Sequence, residues 1–104
     1  MKGSQKRKII ASLGKRCVKC GATERLTLDH VVPKFWGGTL RNRQVLCFQC
    51  NLDKSVLPID YRTRTFIIQP AMLAMPPKMI AEMLRKPDVF QFKFNHGRYT
   101  DAAN

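Results

Sequence analysis

Four cysteines stand in two pairs with one spacing, Cys17-Val-Lys-Cys20 and Cys47-Phe-Gln-Cys50. A C-x-x-C turn brings two thiolates to one side of a tight bend. Two such turns complete a tetrahedral four-sulfur site, the closed geometry of structural Zn2+. Redox cysteines would need one pair in a thioredoxin-like βαβ setting, which this sequence does not show. A four-thiolate site keeps no open coordination position, so its zinc does no chemistry. The chemistry is expected between the pairs, where residues 21–46 exceed the usual ribbon spacer. This insert holds Asp29-His30, with one of the chain's two histidines. A carboxylate beside a neutral imidazole suits metal-assisted phosphodiester hydrolysis. The carboxylate would hold Mg2+ or Mn2+, and the imidazole would take a proton from water. Asn51, directly after Cys50, can add an oxygen ligand at the start of a short helix, where phosphate is also favoured. Taken alone, an Asp-His pair is structural more often than not. Its place between two zinc knuckles is what raises its standing.

These residues need elements to carry them. Arg25 to Val32 is rich in β-branched and apolar residues and reads as a strand. Neighbouring residues on a strand face opposite sides, so Asp29 and His30 diverge unless the strand ends or bulges there. Pro33 and the Trp36-Gly37-Gly38 loop suggest that it ends nearby. Asn42 to Leu46 leads into the second knuckle, and a short helix is expected from about Gln49 to Ser55, closed before Pro58. Residues 1–8 read as a loose basic arm. Ile9, Ile10 and Leu13 sit at helical spacing, with Gly14 as a stop. Tyr61 to Ile68 reads as extended, and residues 77–86 as a helix opened by proline and ended by Pro87. His96 reads as a turn residue, and a polar tail starts at Asn95. Met72, Met75, Met79 and Met83 read as core or interface filler, and Trp36 as packing on its loop.

Charge narrows the partner. The 104 residues carry 19 Lys and Arg against 7 Asp and Glu, a formal net charge of +12. Residues 1–54 hold 12 of the cations and 3 of the acids, so the excess lies in the half with the cysteines. Four thiolates on one Zn2+ would remove only two of those charges. A polyanion is the expected partner. Lys34, Arg41, Arg43 and Lys54 flank the insert and are candidate contacts to backbone phosphates. The longest apolar stretch, Phe66 to Met75, is broken by Gln69 and Pro70 and is too short to span a bilayer. No apolar segment follows the basic N-terminus as in a secretory signal. A cytoplasmic setting, in a bacterial or phage-infected cell, is the expectation, and no membrane partner is expected.

In order, Cys17-x-x-Cys20, Leu28-Asp29-His30-Val-Val-Pro33, Gly37-Gly38 and Asn42-Arg-Gln-Val-Leu46-Cys47-x-x-Cys50-Asn51-x-x-Lys54 resemble the HNH nuclease motif. The resemblance covers about residues 9–56. It implies an α+β, ββα-metal fold of the His-Me finger kind, in which two antiparallel strands and a helix clasp one catalytic divalent ion. It implies that His30 is the general base and that Asp29 binds the catalytic ion. Asn42 would orient the loop and the base. The third motif position, commonly histidine, is Asn51 here, which makes an H-N-N variant similar to some phage nucleases and junction resolvases. An amide oxygen is harder than an imidazole nitrogen, so Mg2+ or Mn2+ is expected over Zn2+ or Ni2+ at this second site.

The expected organisation is one domain, 1–104, with a core at about 9–56 and an extension at about 57–104. The expected activity is endonucleolytic hydrolysis of DNA, with duplex, nicked and branched forms all open. A double-strand cut would need two active sites or one used twice, so a homodimer is also open. The competing reading is a zinc-dependent nucleic-acid-binding module without catalysis. Binding to an anionic membrane ranks last, because residues 5–13 carry only a short amphipathic basic stretch.

Overall fold

The computed structural model describes residues 2–85 and 92–96. Its centre is a hairpin. β1 (Leu26–His30) pairs antiparallel with β2 (Arg43–Cys47), with Leu26 opposite Cys47, Asp29 opposite Gln44 and His30 opposite Arg43. The helix α2 (Phe48–Lys54) follows without a linker. Cys47 is its N-cap, and the Cys47 Sγ accepts from the Cys50 N–H at 3.4 Å. Together these elements make a ββα unit, and the chain is a small α+β protein.

The hairpin connection folds back on itself. After Pro33 a short 3-10 turn runs Lys34–Trp36, and the Trp36 indole N–H donates to the Val56 carbonyl at 2.7 Å. Gly38 then passes so close to the strand end that a Cβ there would lie 1.6 Å from the Val32 carbonyl oxygen. Only glycine permits that approach.

α1 (Gly3–Ser12) packs against β1, anchored by Ile10. It starts well before Ile9, so residues 3–8 are helical rather than a loose arm. Lys, Gln and Arg are good helix formers, and they extended the helix without an apolar signature.

A second sheet backs the unit. β3 (Ile59–Asp60) pairs antiparallel with β4 (Thr65–Ile68), which pairs in parallel with β5 (Lys93–His96). The extended run expected from Tyr61 to Ile68 is thus broken by a turn at residues 61–64, where Arg64 takes φ 54°. His96 ends β5 and is not in a turn, and the expected tail beyond it lies outside the described residues. α3 (Pro77–Met83) opens with proline as expected, but Lys86 and Pro87 lie outside the described residues.

The larger apolar core gathers Leu57, Ile59, Phe66, Met72 and Phe92, with Met75 and Met83 packed against it. A smaller core is built on Cys17, Cys47, Cys50 and Leu46. Met79 is half exposed. No helix among the described residues is long and apolar enough to cross a membrane.

Candidate functional site

The two C-x-x-C turns converge. The sulfurs of Cys17, Cys20, Cys47 and Cys50 all lie within 4.8 Å of one another. Cys20 Sγ and Cys47 Sγ are 3.8 Å apart, which matches the edge of about 3.8 Å of a tetrahedron with Zn–S bonds of about 2.3 Å. In each knuckle the first sulfur accepts an N–H from the fourth residue, Cys20 onto Cys17 at 3.5 Å and Cys50 onto Cys47 at 3.4 Å. Gly21 carries the left-handed turn, φ 84°, that releases the chain from the first knuckle. The Val18 N–H donates to the Val45 carbonyl and fastens that knuckle to β2. Burial pushes the Cys17 thiol up, but backbone N–H groups of Cys20, Cys47 and Lys19 more than offset it, leaving it at about 6. Burial and the neighbouring thiols push Cys50 up. The four cysteines therefore fit a structural metal ion such as zinc, which would take all four as thiolates.

Asp29 faces α2. Its carboxylate is buried, 6% exposed, and meets the Lys54 ammonium at 3.1 Å. Gln44, its cross-strand partner, donates to Asp29 Oδ2 at 2.8 Å. Burial raises the Asp29 carboxyl above the usual carboxylate range, while Lys54, Gln44 and the nearby His30 pull it back. Burial lowers the Lys54 ammonium, opposed by Asp29 and Asp60.

Lys54 is a correction to the sequence reading. It was expected among the surface phosphate contacts, but its side chain is fully enclosed. Its Nζ also donates to the His30 carbonyl at 2.9 Å. A lysine reads as surface by default, and only the carboxylate on the other side of the fold draws it inward. Removing it would leave a buried anion without its counter-charge, held by the Gln44 amide. Lys54→Met is expected to cost about 3–5 kcal/mol of stability, measured by urea unfolding followed at Trp36. A loss below 1 kcal/mol would refute the ion pair as a structural element.

Asn51 sits on the same side. Expected at the start of α2, it occupies the fourth residue of that helix. Its Nδ2 donates to Thr27 Oγ1 at 2.8 Å, and the Thr27 hydroxyl donates onward to the Leu46 carbonyl at 2.8 Å. That chain of donors fixes the amide, so Oδ1 is the atom Asn51 can offer an ion. Thr27 and Asp29 are two apart on β1, so Asn51 and Asp29 lie along one face of the hairpin. A carboxylate and an amide oxygen are hard donors of the kind Mg2+ and Mn2+ prefer, and both Asp29 oxygens already carry contacts from Lys54 and Gln44. An ion held there would share Asp29 with Lys54.

His30 is the last residue of β1 and is half-buried. Strand alternation places it on the face opposite Asp29, across from Arg43. It nonetheless stays close enough to bear on the Asp29 charge. Arg43 Nη1 also reaches the Leu40 carbonyl at 3.3 Å. Lys34 and Arg41 are exposed on the connection between the strands. Asn42 is fully buried just before β2. Its backbone carbonyl accepts from Val31 N–H at 3.1 Å, and its Oδ1 accepts from Arg62 Nη2 at 2.9 Å.

Sequence reasoning missed Gln44, Thr27, Asp60 and Arg62 as members of this constellation. Cross-strand pairing of a glutamine with Asp29 was readable once the hairpin register was set. Nothing local signalled that Arg62 would reach back to Asn42.

The four sulfurs stand together, and Asp29 and Asn51 lie on one face of a ββα unit. Residues 15–57 match the family described as HNH endonuclease. The match covers 43 of the 104 residues, and within that segment the chain is similar to HNH endonucleases. Neither the comparison with curated proteins nor that with solved structures finds a match. The HNH segment begins beside the first knuckle and ends just after α2, so it contains both knuckles, the hairpin and Asn51. α1 precedes it, and the second sheet lies beyond it. The similarity suggests a nuclease or another nucleic-acid-related function for this segment.

Proposed function

We propose that this protein is a metal-dependent DNA endonuclease that hydrolyses phosphodiester bonds. The observation that carries the reading is the placement of Asp29, Asn51 and His30 on the HNH hairpin and helix beside the four-cysteine centre. Zn2+ is the ion we assign to the cysteines. At Asp29 and Asn51 a Mg2+ or Mn2+ ion would neutralise charge developing on the phosphate and the leaving oxygen. His30, as the neutral imidazole, takes the proton of the attacking water. Arg43, on the same hairpin face as His30, is placed to hold the phosphate against it. Lys54 holds the Asp29 carboxylate and the His30 carbonyl in fixed relation through one ammonium. Asn42 keeps the loop ahead of β2 tied to the end of β1.

The nucleic-acid surface is read from exposed cations. Lys34 and Arg41 lie on the connection, and α1 with its N-cap Lys2 adds exposed Lys2, Lys6, Arg7 and Lys8, with no acidic residue in the first turn. Such contacts give affinity without sequence choice and release counterions on binding. Lys34→Gln and Arg41→Gln are each expected to reduce the slope of log affinity against log salt by about 0.9. Fluorescence anisotropy of a labelled duplex across a salt series checks this, and an unchanged slope in both variants would remove these residues from the interface.

Supercoiled plasmid and branched DNA incubated with the zinc-loaded protein and Mg2+ or Mn2+ test the activity directly. Nicking or cutting that needs the second ion supports the proposal. DNA binding without cutting under any common divalent ion would leave the non-catalytic binding module in its place.

A further inference from the structure

The HNH segment does not satisfy its own buried polar groups. Gln44 is 1% exposed, and its amide makes three directed bonds. Nε2 donates to Asp29 Oδ2 at 2.8 Å and to the Ile59 carbonyl at 2.9 Å. Oε1 accepts from the Tyr61 N–H at 2.8 Å. The reversed amide would set a donor against the Tyr61 N–H and an acceptor against a carboxylate, so only one orientation is allowed. Two of these three partners, Ile59 and Tyr61, lie beyond residue 57.

A second tie runs beside the first. Asp60 is buried, and Arg62 grips it through Nε and Nη2, both at 2.9 Å. The Arg62 backbone N–H adds a third bond to the same carboxylate at 2.9 Å. A guanidinium held this way has little freedom left. Its Nη2 also donates to Asn42 Oδ1 at 2.9 Å. Residues 59–62 are themselves braced by pairing of β3 with β4 and by Leu57, Ile59 and Phe66 in the larger core.

We propose that Gln44 and Arg62 are positioning residues through which the segment 59–62, outside the HNH stretch, sets the Asp29 carboxylate and Asn42. This rests on the reading of Asp29 as an ion ligand. Gln44 acts on the ion because its amide fixes which Asp29 lone pairs remain to be offered. Arg62 acts on the loop that joins the strand carrying His30, without touching the ion's ligands. The two residues should therefore fail in different ways. Loss of a group that orients a metal ligand weakens the metal, by about 10- to 100-fold. Loss of a group that orients the reacting loop slows the reaction at full metal occupancy.

The test uses the full zinc-loaded chain and Mn2+ as probe. Mn2+ affinity is measured by titration calorimetry and by electron paramagnetic resonance of the free ion. Single-turnover cleavage is followed against Mn2+ concentration. Melting and zinc content are recorded alongside. Gln44→Met is expected to weaken Mn2+ binding about 10- to 100-fold, with much of the cleavage restored at saturating Mn2+. Arg62→Ala is expected to keep wild-type Mn2+ affinity and to lose about 10-fold or more in saturated rate. Wild-type Mn2+ affinity and saturated rate in both variants, with only a lower melting temperature, would overturn the proposal. Should Gln44→Met fail to retain zinc, Arg62→Ala decides alone: the side chain removed is 38% exposed, and the Arg62 backbone N–H, which the variant keeps, still donates to the Asp60 carboxylate. A wild-type protein that binds no Mn2+ and cuts nothing would overturn the site reading itself. Intact wild-type function with indifferent variants would overturn only the positioning roles.

Discussion

His30→Ala is expected to lower the single-turnover cleavage rate by about 10²- to 10⁴-fold, with zinc content and melting temperature unchanged. The imidazole sits at the end of β1, half-buried, and the backbone there is held by the Lys54 bond to the His30 carbonyl, which alanine keeps. Truncation therefore removes the proposed proton acceptor while the backbone bond from Lys54 stays in place. Binding of duplex DNA should persist, because the cations that carry it are untouched. The measurement compares cleavage under saturating Mg2+ with zinc stoichiometry on the same preparation. A variant that cuts as fast as wild type would end the assignment of His30 as base. A variant that loses zinc or fold would show that His30 is structural. Added imidazole offers a further check, since a small base that restores cleavage points to proton transfer as the missing step.

Cys50→Ser should have the opposite profile, loss of the fold and of everything that depends on it. Cys50 is buried in the small core with Cys17, Leu46 and Cys47. A hydroxyl is a poor ligand where a thiolate is needed, and three remaining thiolates would face each other without full compensation. Structural zinc contributes roughly 10–16 kcal/mol in small domains at neutral pH, against a total stability of about 5–15 kcal/mol for a typical domain. Losing most of that exceeds what the remaining ties of α2 to the hairpin, Lys54 to Asp29 and Asn51 to Thr27, are expected to supply. We expect no bound zinc, a red-shifted Trp36 emission and no cooperative melting transition. A strong chelator on the wild type should give the same spectra. Both effects should deepen as pH falls, because protons then compete with the metal for the thiolates. A zinc-free Cys50→Ser protein that still melts cooperatively would refute the cluster as the main staple.

The parts of this architecture that could be read from sequence share one property: their signals are local. Each cysteine pair is a four-residue pattern, the β1 residues alternate visibly, and Pro77 marks the start of α3. Asp29, His30 and Asn51 were singled out as candidates because they stand between the two knuckles or directly after the second. What escaped depends on partners far along the chain. β5 joins β4 in parallel across more than twenty residues, and neither segment announces the other. Lys54 looked like any surface cation until Asp29 claimed it. Gln44 looked like a polar residue in a strand, yet it became buried because three partners, one from β1, one from β3 and one from the turn after β3, saturate its amide. The start of α1 was missed for a different reason. Its first residues are helix formers without an apolar stripe, and periodicity alone cannot see them.

The Lys54–Asp29 pair has a consequence for how the molecule answers to its surroundings. A buried ligand carboxylate without a partner would make the fold itself dependent on the second ion. Here the protein carries its own counter-charge, so the carboxylate is compensated whether or not an ion arrives. On the proposed reading the two metals then obey different linkages. Zinc is coupled to folding, and its removal is an unfolding event. The second ion is coupled to turnover alone, so a swing in Mg2+ switches cutting off and on while the folded population stays constant. Such a protein could persist, assembled and silent, through a spell of magnesium starvation and resume work without refolding.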